Sequence, residues 1–214
     1  MNRFFDPDSW IMQLISRFSS LAVLNLIFLC TCIPVFTIGA SFTALYDVVF
    51  RMDTDREKRL VFAYFHAFKA NFRQSAPMGL LFLLIISASC ANAMIFSNWG
   101  TTMGTVLSVI CMVILVNVIL VHGYVFPLLS QFDNTGANTL KNALLLSIAN
   151  LPRTLVIAVI NCFPWALMIV NFYSFIQLSF LWLVLYFAAA AYFNSRVLKK
   201  VFDPLREQAA SANK

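Results

Sequence analysis

Two histidines, five cysteines and nine acidic residues are the whole stock from which this 214-residue chain could build acid–base, nucleophilic or metal chemistry. Their spacing brings few of them together. Cys30-x-Cys32 has the wrong spacing for a zinc or thioredoxin-type site, and Cys90, Cys111 and Cys162 stand singly in apolar runs. All five thiols therefore read as small membrane-buried hydrophobes. Asp53 and Asp55 are one residue apart, but Thr54-x-x-Glu57 explains that stretch as a capping box at a helix start. His66 lacks a ligand partner, and His122 reads as a packing residue rather than a proton relay. There is no His-Glu-x-x-His, Gly-x-Ser-x-Gly or phosphate-loop pattern. The expectation is a protein that is not an enzyme and carries no cofactor or metal.

The elements that hold these residues follow from charge. Only 11% of the chain is charged, against about 25% in soluble domains. Hydrophobic residues make up 61%, and the mean hydropathy is +0.81. From Gln74 to Phe132, 59 consecutive residues contain no Lys, Arg, Asp or Glu. A soluble domain and a disordered chain are both excluded. The net charge of +6 does not point to nucleic acid, because the basic residues flank apolar segments instead of forming a basic domain. The fold class is an all-α polytopic membrane bundle in a single domain over 1–214.

Five spans are expected, at about 18–40, 75–96, 103–127, 154–172 and 173–194, each long enough to cross ~30 Å of hydrocarbon as a helix. Ser97-Asn98-Trp99-Gly100-Thr101-Thr102 is the polar break that divides the long uncharged run. Membrane strands would alternate in polarity, and Phe82-Leu83-Leu84-Ile85-Ile86 does not. Three further segments read as interfacial. In 1–17, Asp6 and Pro7 suit a helix start, and Trp10, Ile11, Leu14 and Ile15 share a face with Phe18. In the 47–74 segment, Val61, Phe65, Phe68 and Phe72 form an apolar stripe beside Lys58, Arg59, Lys69 and Arg73. In 138–151, Leu140, Leu144, Ile148 and Leu151 recur on one side before Pro152.

With five spans, thirteen of the fifteen basic residues fall on one side, including the 195–214 tail. The positive-inside rule then puts the N-terminus outside and the C-terminus in the cytoplasm. No cleavable signal peptide is expected, since 1–17 carries Asp6 and Asp8 and lacks a basic start. No Asp, Glu, Lys or Arg lies within an expected span, which speaks against coupling to protons or sodium. Asn25, Asn92, Asn117, Asn161 and Gln177 are expected to bond between helices.

The densest string is Pro34-Val35-Phe36-Thr37-Ile38-Gly39-Ala40-Ser41-Phe42-Thr43-Ala44-Leu45-Tyr46. Pro34 deletes a helical hydrogen bond, Gly39 relaxes the backbone, and Thr37, Ser41 and Thr43 carry hydroxyls that could satisfy the freed groups. It reads either as a kinked helix exit packed through small residues or as a break lining a cavity. This string resembles the hallmark of the YesL-like family of bacterial membrane proteins, as does Asn25-Leu26-Ile27-Phe28 before it. Phe65-x-x-Phe68-Lys69-x-Asn71-Phe72-Arg73-Gln74 and Leu144-x-x-x-Ile148-x-Asn150-Leu151-Pro152-Arg153-Thr154 resemble two further family landmarks. The candidate interaction or structural residues are thus Pro34, Thr37, Gly39, Tyr46, Phe68, Asn71, Phe72, Arg73, Asn150 and Pro152. The resemblance implies a five-helix protein of unknown activity, associated with carbohydrate uptake, and assigns no catalytic residue. Expected partners are the lipid bilayer and permease subunits of an ABC-type importer; a homo-oligomer stays open. The other reading is a small facilitative transporter or oligomeric channel.

Overall fold

The computed structural model describes residues 10–52 and 59–212. Asp6, Pro7, the Thr54–Glu57 capping box and the Asp53–Asp55 pair lie outside the described residues. Helix α1 (Trp10–Cys32) leads through Ile33 and Pro34 into a short 3-10 turn (Val35–Thr37) and helix α2 (Ile38–Arg51). Helices α3 (Leu60–Ser97) and α4 (Thr102–Gln131) follow, then α5 (Gly136–Ala149) and α6 (Leu151–Val170). The last apolar stretch is interrupted. It comprises α7 (Phe172–Gln177), α8 (Ser179–Leu181), a π-turn (Trp182–Tyr186) and α9 (Phe187–Ala212). None of the described residues is in a strand.

Five of these helical stretches are long and apolar enough to cross a membrane: Met12–Cys32, Leu60–Ser97, Thr102–Gln131, Leu151–Val170 and Ser179–Glu207. The all-α bundle with five such helices agrees with the sequence expectation. The side-chain distribution also suits lipid. Asn25, Ser41, Thr43, Ser75, Asn194 and Ser195 are fully buried, while Ile169 and Val170 are more than 80% exposed. Small and polar groups face inward and large apolar ones outward, as they do when the solvent is hydrocarbon. Helix α5 makes the same point. Its Thr139, Ala143 and Ser147 are buried, and the Leu140–Leu144–Ile148 stripe is turned out.

Element boundaries differ from expectation in three places. The span expected over 18–40 ends at Cys32, because Pro34 cannot donate to the helical ladder and Ile33 and Pro34 leave it. Residues 38–51 form a separate helix. The 47–74 segment is not an independent helix either. From Leu60 it is continuous with the next span, giving α3 38 residues and a length of about 57 Å. Its buried side is Tyr64 and Ala67, and Val61 and Phe65 of the expected stripe are about half exposed. The fifth span, expected as one helix over 173–194, is interrupted at Leu178, and the helix that continues from Ser179 carries the π-turn.

The separate helix α2 changes the topology. Ser19, Ser20 and Val23 of α1 share a groove with Arg59, Leu60 and Val61 at the start of α3. So α1 and α3 begin at the same end of the bundle, and α2 is the leg that brings the chain back. Helix α1 is antiparallel to the last helix. Arg17 donates to the Tyr192 hydroxyl at 2.8 Å, while Phe28 packs on Phe187 with ring centroids 5.7 Å apart. Phe50 at the end of α2 stacks on Phe202, which also meets Phe132 just past α4. The entry of α1 and the exit of α9 therefore share one end of the bundle. The expectation of termini on opposite faces is made without such a return leg.

Candidate functional site

Tight turns at membrane depth must satisfy their own backbone, and the α1–α2 bend does so with hydroxyls. The Thr37 hydroxyl lies 2.5 Å from the Thr31 carbonyl and 2.6 Å from that of Pro34. Ser41 donates to Thr37 O at 3.1 Å, and Thr43 donates to Gly39 O at 3.0 Å. The Thr31 and Tyr64 hydroxyls are 2.7 Å apart, which ties the bend to α3.

Gly39 is where α2 meets α3 most closely. A Cβ built on it would lie 2.1 Å from Ser75 O and 2.9 Å from Gly79 Cα. A Cβ on Gly79 would lie 2.5 Å from Gly39 N. Two glycines thus face each other, and only hydrogen fits between the backbones. Ser75-x-x-x-Gly79 has the small-x-x-x-small spacing that allows such an approach, a signal that the sequence carried and the expected motif set lacked. Ser75 and Asn71 fold their polar ends onto their own helix, at Asn71 O (2.7 Å) and Ala67 O (3.0 Å). Phe68 lies between Tyr64 and Phe72, 6.4 and 5.5 Å away by ring centroid, and Arg73 is exposed.

Tyr46 is buried further along α2. The Asn194 amide donates to the Tyr46 hydroxyl at 3.3 Å and to Asn161 Oδ1 at 2.8 Å, joining α2, α6 and α9. Asn194 Oδ1 is buried without a partner. Asn25 is fully buried too, and serves the π-turn. Its Nδ2 donates to Trp182 O (3.2 Å) and Leu183 O (2.7 Å), and its Oδ1 accepts from Ala188 N (2.9 Å). A π-turn detaches backbone groups from the regular ladder, and one carboxamide collects three of them. Composition marked Asn25 and Asn161 as polar residues at depth. It could not pair them with partners 163 and 33 residues away.

The one acid buried among the described residues is Asp47, near the end of α2. Arg51, one turn on, holds it at 2.8 Å. Burial pushes its carboxyl above the ordinary value; the Arg51 charge and hydrogen bond, and His66 on α3, pull the other way. The last two candidate residues sit elsewhere. Asn150 separates α5 from α6. It accepts from Arg153 at 2.9 Å, and Pro152 occupies the first turn of α6. Thr154 donates back to Ser147 O at 2.8 Å and meets the Tyr124 hydroxyl at 2.9 Å. The candidates therefore divide into a large group on α1–α2–α3 and a helix junction at Asn150–Pro152.

The large group coincides with the part of the chain that a family model matches. Residues 21–93 match the model of DUF624, a protein family of unknown function. The segment similar to DUF624 covers α1 from Leu21, the bend, α2 and most of α3, including the Gly39–Gly79 contact. The Asn150–Pro152 junction lies outside it. No curated protein and no solved structure matches the chain.

Proposed function

We propose that the protein is a multi-pass protein of the bacterial cytoplasmic membrane, related to the YesL-like proteins. In this reading it is a non-enzymatic accessory component that works beside an ABC-type carbohydrate importer. The sugar connection rests on the resemblance in sequence. The accessory role rests on how the bundle is filled. Phe42, Phe82, His122 and Phe126, from α2, α3 and α4, pack ring against ring with centroids 5.0–6.1 Å apart. Rings in contact where the helices converge support a closed scaffold more than a conduit.

In this reading both termini face the cytoplasm. The turns at the end of the bundle away from Arg17 and Phe202 span 33–37, 98–101 and 171–178, and contain no charged residue. With α2 counted as a return leg, all fifteen basic residues fall on the other side. The two that offended the positive-inside rule in a five-span count, Arg3 and Arg17, then obey it. The α1–α2 hairpin turns within the hydrocarbon, since Ile33, Val35 and Phe36 at its tip are apolar and more than half exposed. Reporters fused to the two ends should both read as cytoplasmic; an external N-terminus would overturn this topology. A mild-detergent pull-down of the tagged protein should recover permease subunits of a sugar importer, and recovery of the protein alone would count against the accessory role.

A facilitative transporter is the second reading. The Tyr46–Asn161–Asn194 cluster favours it, because an orphan acceptor deep in a bundle is a point where a polar solute could bind. Reconstituted vesicles that pass no sugar would remove that alternative.

A further inference from the structure

We propose that the groove between α1 and the start of α3 is a binding site for an anionic phospholipid, with the phosphate on Arg59 and an acyl chain along Val23, Phe62 and Phe65. The groove measures about 630 Å³, within the size range of ligand sites. Its floor and walls are apolar. Val23, Phe62 and Phe65 are 41–68% exposed, so they present carbon surface that only lipid can cover in a membrane. Its polar groups lie together. Ser19 and Ser20 come from α1, Arg59 is the residue preceding α3, and no acid is among the described residues that line the groove.

The placement fits an amphiphile lying along the bilayer normal. Arg59 belongs to the end of the bundle that carries the charges, and the apolar residues lead away from it along both helices. A guanidinium offers paired donors to phosphate oxygens, and the serine hydroxyls can add to them. Arg59 makes no ion pair with another described residue, in contrast to Arg51 on Asp47 and Arg206 near Asp203. A phospholipid with a neutral headgroup fills the same carbon surface, but a net negative headgroup gains more from the cation. Near a membrane surface one basic residue contributes about five-fold in affinity.

The test is native mass spectrometry of the full-length protein in detergent, titrated with phosphatidylglycerol or with phosphatidylcholine of the same chains. The wild type should retain a first phosphatidylglycerol about five-fold more strongly than phosphatidylcholine. Arg59→Gln should erase that preference and Arg59→Lys should keep most of it. Val23→Trp, which fills the groove without touching a charge, should lower retention of both lipids. Equal retention of the two lipids by the wild type, or an unchanged preference in Arg59→Gln, would overturn the proposal. A size-exclusion profile for each variant confirms that it is folded. If Arg59→Gln does not fold, the wild-type preference and Val23→Trp decide, and retention unaffected by Val23→Trp counts against the site.

Discussion

Two chain reversals in this protein have similar lengths and opposite chemistry. The α1–α2 bend uses Ile33–Thr37, and the α3–α4 turn uses Asn98–Thr101. The bend turns apolar side chains outward and satisfies its carbonyls with Thr37 and Ser41. The turn exposes Asn98 and Trp99, takes a positive φ at Gly100, and caps α4 by accepting the Gly104 amide on Thr101 at 3.2 Å. Its remaining groups can reach water. A reversal that water does not reach must carry its own hydrogen-bond partners and pack without gaps, whereas a wet one needs only a permissive residue and a cap. The Pro34–Tyr46 string is dense because its hydroxyls and small residues do both jobs at once.

The contrast can be broken experimentally. The largest effect is expected from Gly39→Ala, whose methyl would overlap Ser75 O. Loss of about 3 kcal/mol or more is expected, seen as a collapse of the size-exclusion peak or of the melting temperature. Gly100→Ala meets open space and bears only the strain of φ +63°, so it should cost about 1 kcal/mol. Comparable damage from the two substitutions would erase the distinction. Gly104 sharpens it. Its position beside a polar turn suggests tolerance, yet a Cβ there would meet Phe96 O at 2.5 Å. Gly104→Ala is therefore expected between the other two. A second test uses labelling in a background without the native cysteines. Asn98→Cys should react with a membrane-impermeant maleimide added from outside, and Phe36→Cys should not. Thr37→Val should cost about 1–2 kcal/mol by removing the donor at the bend, against about 1 kcal/mol for Thr101→Val at the cap.

The smallest effect concerns the arm of the bend that carries Asp47. Its carboxyl holds a proton more tightly folded than unfolded. Its contribution is therefore full below the ordinary value of 3.8 and is lost as pH rises through the raised folded value. Asp47→Asn should remove this slope from the pH dependence of melting, while a slope identical to the wild type would mean that the carboxyl is not perturbed.

Much of the architecture was legible in the sequence because it follows from counts of charge and runs of apolar residues. The Ser97–Thr102 break places the α3–α4 turn, and the Gln74–Phe132 run places the end of α4, almost to the residue, although α3 begins well before the run, at Leu60. The return leg was not legible in the same way. Residues 18–46 are long enough for one span with a tail, and hydropathy does not distinguish that from a span followed by a shorter helix turning back. The evidence against a single span was indirect, in Arg3 and Arg17 falling on the wrong side. Within the candidate site, the local donors Thr37, Ser41 and Thr43 could be read from their spacing to Pro34. The pairings of Gly79, Asn161 and Asn194 could not, because their partners come from remote helices.

Asn25 also bears on the order in which the protein is made. The three backbone atoms that its carboxamide reads belong to residues 182, 183 and 188, the last of them 163 positions downstream. At about 5–20 residues per second, a growing chain takes roughly 8–30 s to supply them after α1 has left the ribosome. During that interval the first helix carries an amide that must find water or a temporary host. The N-terminal helix is therefore expected to settle last, locked by the helix that is synthesised last. Chains arrested before Trp182 should leave α1 open to protease, and chains completed past Ala188 should protect it.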